Sequence, residues 1–277
     1  MLFRSHSVTY ILAFMRGDQA AMDREVQWAK GKPEEADFTA LLGLHAMYLG
    51  KAKQSVELTK RAAEAFKQQN RNENASNLLM GLAGSMVIVG KCQEAKDHVA
   101  AAMVLFRAGF TDAIAATIYA ACNDPGRAQA MLDAAREAAP TNTILASIIA
   151  PAVRAQIERS RGNTAEALRL MEALRTYDLG QMAGLGNNYS RGMLYLEQRR
   201  GNEAAAEFRK IIESRGVEPF SPFHPLAHVG LARAAVINRD TGAARKAYQD
   251  FLALWKDADA DLPVLVEARK EYEQLKS

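Results

Sequence analysis

An all-α solenoid, a right-handed superhelix of about seven helix pairs followed by a C-terminal capping helix, is the fold this sequence predicts. Three observations predict it. A turn dipeptide, led by Gly or Asn in five of its copies, returns seven times along the chain, and small residues recur at matching positions before and after most of these turns. Ala is abundant and β-branched residues are sparse, with aromatics at 7%, a composition that suits helices packed closely through small side chains.

The turns are Gly17-Asp18, Gly50-Lys51, Gly90-Lys91, Asn123-Asp124, Gly162-Asn163, Arg199-Arg200 and Arg239-Asp240. By subtraction, successive anchors lie 33 to 40 residues apart, so the helix pair is constant and the connections vary. Gly or Asn is expected where the first helix of a pair ends, because that residue adopts a left-handed conformation. Arg199 and Arg239 depart from this rule, and the neighbouring Gly201 suggests that the sixth turn is displaced. In the first helices the small positions are Gly43, Ala83, Ala116, Ala155, Gly192 and Ala232. In the second helices they are Ser55, Ala95, Ala128, Ala167, Ala204 and Ala244, with Met22 the exception in the first copy. Val26, Val99, Leu132, Met171, Phe208 and Tyr248 fill the seam between them.

Ala116, Tyr119, Asn123-Asp124, Ala128, Leu132, Ala135 and Pro140 form the clearest copy and match the tetratricopeptide repeat, a helix pair of about 34 residues. One array over 1–277 is expected, with repeats near 3–34, 36–68, 74–108, 109–142, 144–179, 185–216 and 222–257 and a capping helix over 261–277. The first helix has no evident N-cap and nothing before it to cover its apolar side, so the chain reads as a piece of something longer. The connections 176–188 and 214–225 are rich in Gly and Pro and flank the sixth copy, where they are expected to re-angle neighbouring pairs. The terminal helix, opened by Pro263 and charged on one face, reads as a solvating cap.

A net charge of +3, from 35 basic and 32 acidic residues, argues against a nucleic-acid partner. No apolar stretch is long enough to cross a bilayer, so no membrane insertion by this chain is expected. Cys92 and Cys122 are the only cysteines; both fall near turns of neighbouring repeats, and two half-buried free thiols are expected rather than a pair. His224 and His228 lie four apart, but Pro225 separates them and no third ligand is near, so no metal site is expected. Gly184-Leu-Gly186 lacks the third Gly of a dinucleotide fingerprint, and Gly50-Lys51 and Gly90-Lys91 lack the Ser or Thr of a phosphate loop. No catalytic residue and no cofactor is assigned.

In such a superhelix the first helix of each pair lines the concave groove. Its outward positions here include Arg4 and Phe14, Leu44 and Met47, Asn77 and Met80, Phe110 and Thr117, Gln156 and Arg159, Tyr189 and Met193, and Arg233 and Val236. Asn77, Phe110, Gln156, Arg159, Tyr189 and Arg233 are the candidate partner-binding residues, since Arg and Tyr combine contact area with directional hydrogen bonding. The expected partner is a protein or peptide. A second reading is self-association through the first helix, with Phe3, Tyr10, Ile11 and Phe14; a helical-repeat nucleic-acid binder is a remote third.

Tyr189-Ser-Arg-Gly-Met-Leu-Tyr-Leu196, Ala204-Ala-Ala-Glu-Phe-Arg-Lys-Ile-Ile212, Leu226-Ala-His-Val-Gly-Leu-Ala-Arg233 and the segment from Ala247 to Asp259 carry a closer resemblance. They resemble the tetratricopeptide C-terminal region of bacterial, acidobacterial-type serine/threonine protein kinases and of related winged-helix regulators. Ala13 to Asp18 and Gln27 to Pro33 extend it more weakly to the start. The resemblance implies a regulatory or sensory array attached to a signalling domain. No kinase motif is present in the chain, so no enzymatic activity is transferred. It also implies a soluble region, cytoplasmic if it stands alone and extracytoplasmic if it belongs to a membrane-anchored kinase.

Overall fold

Fifteen α-helices, and no strand, occur among the residues that the computed structural model describes, which are 2–180 and 184–275, with side chains from residue 5 onward. The side chains of Phe3 and Arg4 lie outside the described residues. In order the helices are α1 (Leu2–Arg16), α2 (Gln19–Ala29), α3 (Glu35–Tyr48), α4 (Ala52–Gln68), α5 (Asn72–Ile88), α6 (Cys92–Leu105), α7 (Gly109–Ala121) and α8 (Pro125–Ala138). There follow α9 (Ala150–Ser160), α10 (Thr164–Glu172), α11 (Gly186–Glu197), α12 (Gly201–Glu213), α13 (Phe223–Ile237), α14 (Thr241–Leu254) and α15 (Pro263–Gln274). A π-helical turn, Leu145–Ile149, leads into α9, where Pro151 has no N–H to continue the ladder.

The turns explain why the helices pair. Gly17, Gly50, Gly90, Asn123, Gly162, Arg199 and Arg239 all have positive φ, between 57° and 88°. After each, the next residue's N–H bonds a carbonyl five residues back: Asp18 to Ala13, Lys51 to Ala46, Lys91 to Met86, Asp124 to Tyr119, Asn163 to Glu158, Arg200 to Tyr195 and Asp240 to Ala235. This is the Schellman closure, which satisfies carbonyls left over at a helix end and reverses the chain. Asp18, Asp124 and Asp240 then cap the following helix by accepting from Ala21, Arg127 and Ala243 N–H. The sixth turn is therefore not displaced to Gly201. Arg199 takes the left-handed conformation itself, at φ 57°. Both Arg199 and Arg239 are exposed and held where an L-residue is disfavoured by roughly 1–2 kcal/mol. Arg199→Gly and Arg239→Gly should each raise the unfolding free energy by about 1 kcal/mol in urea titration.

The small positions sit where helices meet: Ala83, Ala95, Ala116, Ala128, Ala204, Ala232 and Ala244 are fully buried. Phe208 lies between Gly192 and Gly230, and a Cβ on either would come within 2.7 or 2.5 Å of its ring. Successive first helices pack directly, α5 on α7, α7 on α9 and α11 on α13, while successive second helices make no comparable contact. Across the 176–188 connection, α9 and α11 are joined mainly through side chains, Gln156 to Ser190 and Arg159 to Glu197. Cys92, which opens α6, and Cys122, just after α7, form a disulfide with Cα atoms 5.5 Å apart, so the expectation of free thiols is overturned. The Schellman turns at residues 90 and 123 bring the two side chains together at one edge of the array.

One departure from a simple repeat array sets the shape. In an ideal solenoid each repeat touches only its neighbours. Here the end of the chain returns to the start. Trp255, fully buried, donates its indole N–H to the Tyr48 carbonyl at 2.9 Å. Its ring packs on Gly50, where a Cβ would approach it to 2.7 Å, so Gly50 is needed both for its φ of 71° and for its missing side chain. Asp259 N–H donates to the Gly50 carbonyl at 3.0 Å, and the Asp259 carboxylate accepts from Lys53 N–H at 2.8 Å. Lys53 pairs with Asp261 at 3.0 Å, and Pro263 packs against Gly90. Leu262, Leu265 and Ala268 are buried in the same core as Met86 and Val89, so α15 is more than a solvating cap.

Candidate functional site

The candidate residues lie on the first helices of their pairs, in different environments. Asn77 on α5 and Phe110 on α7 are exposed, Phe110 by 48%, beside exposed Thr117. Leu44 and Val236 are likewise exposed, by 42% and 48%. Gln156 donates to Ser190 Oγ at 3.3 Å, and Arg159 binds Glu197 through Nε at 2.7 Å, so both bridge α9 to α11. Tyr189 is wedged between the Phe208 and Phe223 rings, with centroids 5.8 and 4.8 Å away. Burial pushes its phenol up. Arg233 is held by Glu271, both carboxylate oxygens 3.1 Å from Nε, and by Glu267 at 3.1 Å. The acids that Arg159 and Arg233 meet in this structure are their own chain's. Phe14, Met47 and Met80, expected on the groove surface, are instead buried in the core, at 8%, 1% and 3% exposure.

A cavity of about 390 Å³ opens beside Arg233, lined by Leu196, Arg233, Val236, Ile237, Tyr248, Glu271, Gln274 and Leu275. Tyr248 donates its hydroxyl to Glu271 at 2.7 Å, and burial together with that carboxylate drives the phenol up. Leu196, Val236, Ile237 and Leu275 give it apolar walls, and the Arg233–Glu271 pair lies against them, with Arg233 Nη2 buried and lacking a hydrogen-bond partner among the described residues. Among the described residues no group of three or more His, Cys, Asp or Glu is placed to hold a metal ion. No helix among them is long and apolar enough to cross a membrane.

Two further clusters were not anticipated. At the first, Arg191 on α11 is fully buried between Asp178 and Glu207, whose side chains are only 10% and 4% exposed. Its Nη2 lies 3.0 Å from Glu207, while Arg175 pairs with the other Glu207 oxygen at 2.7 Å and Asn188 donates to Glu207 at 2.9 Å. Burial, the largest single influence, would raise the Glu207 carboxyl, but the hydrogen bond and charge of Arg191, the Asn188 hydrogen bond and the charge of Arg175 together hold it low. The cluster pins the 176–188 connection to α11 and α12.

At the second, Phe220 of the 214–222 connection enters an aromatic box on α1 and α3, its ring 4.6 Å from Phe14, 5.3 Å from His45 and 6.0 Å from Tyr10. Arg215 lies over the Phe14 and Tyr48 rings at 5.0 and 5.8 Å. Tyr10 and Phe14, expected to face a second copy, are covered by their own chain; Val8, Leu12 and Met15 on α1 stay exposed. The two Gly- and Pro-rich connections also meet, Glu218 packing on Gly184, and burial raises the Glu218 carboxyl.

Burial holds His45 and His224 down to about 4 each, from an ordinary 6.5. The Tyr10 hydroxyl is 2.7 Å from His45 Nδ1, a contact that a neutral imidazole accepts. Because the folded value is depressed, the unfolded chain binds more protons between these limits. The stability is full above pH 6.5 and is lost as pH falls towards 4. The urea midpoint should therefore fall between pH 6.5 and 4.5, and His45→Gln should flatten that fall.

No protein-family model and no curated protein matches the sequence. Among solved structures the chain is similar to a tetratricopeptide repeat protein from Parabacteroides merdae, at 13% identity and a TM-score of 0.54, over 99% of both chains. It is also similar to yeast Tom70, at 14% identity and a TM-score of 0.51, over 94% of this chain and 59% of that one. These likenesses establish the class of fold, a helical-repeat solenoid of the tetratricopeptide type.

Proposed function

We propose that the chain is a non-enzymatic protein- or peptide-binding scaffold, the regulatory or sensory part of a bacterial signalling protein. The observation that carries this reading is the exposed apolar series on the first helices, Leu44, Phe110 and Val236, interleaved with Asn77, Gln156, Arg159 and Arg233. Exposed apolar side chains edged by directional donors suit a partner segment better than solvent. A segment lying there would cover Phe110 and enter the cavity beside Arg233, competing with the exposed Glu267 for its guanidinium. The disulfide favours an oxidising compartment, in keeping with the extracytoplasmic arm of a membrane-anchored kinase.

Selection of a displayed random peptide library on the immobilised chain tests the placement. Enriched peptides should bind at least tenfold more weakly to a folded Phe110→Ala chain and to Arg159→Ala with Arg233→Ala. Unchanged affinity in both would remove the groove assignment.

A further inference from the structure

The connection between α12 and α13 runs from residue 214 to 222, longer than the two to eight residues that usually join packed helices. Its extra length delivers two side chains, Arg215 and Phe220, to helices at the opposite end of the chain. The box that receives them is held by its own members: Tyr10 is bonded to His45, Phe14 stands edge-on to Tyr48 at 5.1 Å, and Tyr10 edge-on to Phe38 at 5.7 Å. The walls thus come from α1 and α3 alone. The connection is folded as a peptide ligand would be, with turns closed by Val217 N–H to Ser214 and Ser221 N–H to Glu218 and stiffened by Pro219 and Pro222. Among the described residues the buried Nε of Arg215 has no hydrogen-bond partner, so ring faces are its principal recognition.

We propose that the Tyr10, Phe14, His45 and Tyr48 box is a docking site for a peptide presenting an arginine and, five residues later, a phenylalanine across a proline turn. The chain's own 215–220 segment is its resident occupant. Tethering gives that segment a roughly millimolar effective concentration, so an outside peptide of equal affinity is excluded until the segment is displaced. The box is distinct from the groove around Phe110, Arg159 and Arg233, and its test uses none of those residues.

The experiment uses the full chain carrying Arg215→Ala and Phe220→Ala, and a fluorescent synthetic peptide with the sequence of residues 213–223. The vacated chain should bind the peptide at least tenfold more tightly than wild type. A peptide with Ala at the Phe220 position should bind at least tenfold more weakly than the parent. If that chain does not fold, the milder Arg215→Lys with Phe220→Leu chain replaces it, with several-fold tighter binding than wild type expected. A folded variant that ignores the peptide, or binds the Ala peptide equally well, overturns the proposal. So does a wild-type–variant dimer formed in place of peptide binding, which would assign the box to a second copy.

Discussion

Arg191→Met is expected to cost about 3–5 kcal/mol of unfolding free energy, measured in urea at pH 7. The substitution keeps the aliphatic stem and removes the fully buried cation between Asp178 and Glu207, leaving them only Lys210 at 3.5 Å and Arg175 at 2.7 Å, both of which are partly exposed. Those carboxylates, in the 176–188 connection and on α12, are only 10% and 4% exposed. Leaving a buried charge without its partner costs far more than the net worth of the pair. Two corollaries separate this from lost packing. Adding Glu207→Gln should recover part of the deficit, and the deficit should shrink as pH falls and the stranded carboxylates take up protons. A cost below 1 kcal/mol would mean that the cluster is dispensable.

Trp255→Ala is the second large effect, and its reach matters as much as its size. Removing a fully buried Trp costs roughly 3–5 kcal/mol. Trp255 closes the seventh helix pair onto the second through Tyr48 and Gly50. In a solenoid whose repeats feel only their neighbours, damage at residue 255 stays local. Closure predicts faster amide exchange in the Gly50 turn and the first turn of α4, because Asp259 no longer bonds the Gly50 carbonyl and Lys53 N–H. Exchange confined to α13–α15 would contradict it.

The fold class was legible because its signal is local and repeated. A left-handed residue, a Schellman turn and a small side chain at each helix contact are short-range requirements, so Gly50, Gly90, Ala95 and Ala128 announce themselves. Arg199 and Arg239 obey the geometry without the residue type, so composition alone misplaced the sixth turn. The groove residues were placed on the first helices, but their engagement was not foreseen. Nothing around Arg233 signals that Glu267 and Glu271 of a helix 38 residues on complete it.

The clasp was not legible because its partners, such as Lys53 and Asp259, are 206 residues apart, and no periodicity encodes such a pairing. One hint was available in Phe220. A large aromatic in a Pro-flanked connection has little reason to stay in solvent, whereas re-angling alone needs no aromatic. Arg191 left no comparable mark, since an arginine in a polar helical stretch looks like a solvated one.

Closure of the solenoid on itself is tested most directly by zero-length carbodiimide coupling of the dilute wild-type chain, with the linked peptides mapped by mass spectrometry. Lys53 Nζ lies 3.0 Å from the Asp261 carboxylate, as near as the Lys96–Asp124 pair at 2.8 Å between adjacent repeats. The account predicts an intrachain Lys53–Asp261 link alongside the Lys96–Asp124 link. Recovery of Lys96–Asp124 without any link between residues 50–91 and 255–263 would show an open solenoid and contradict it.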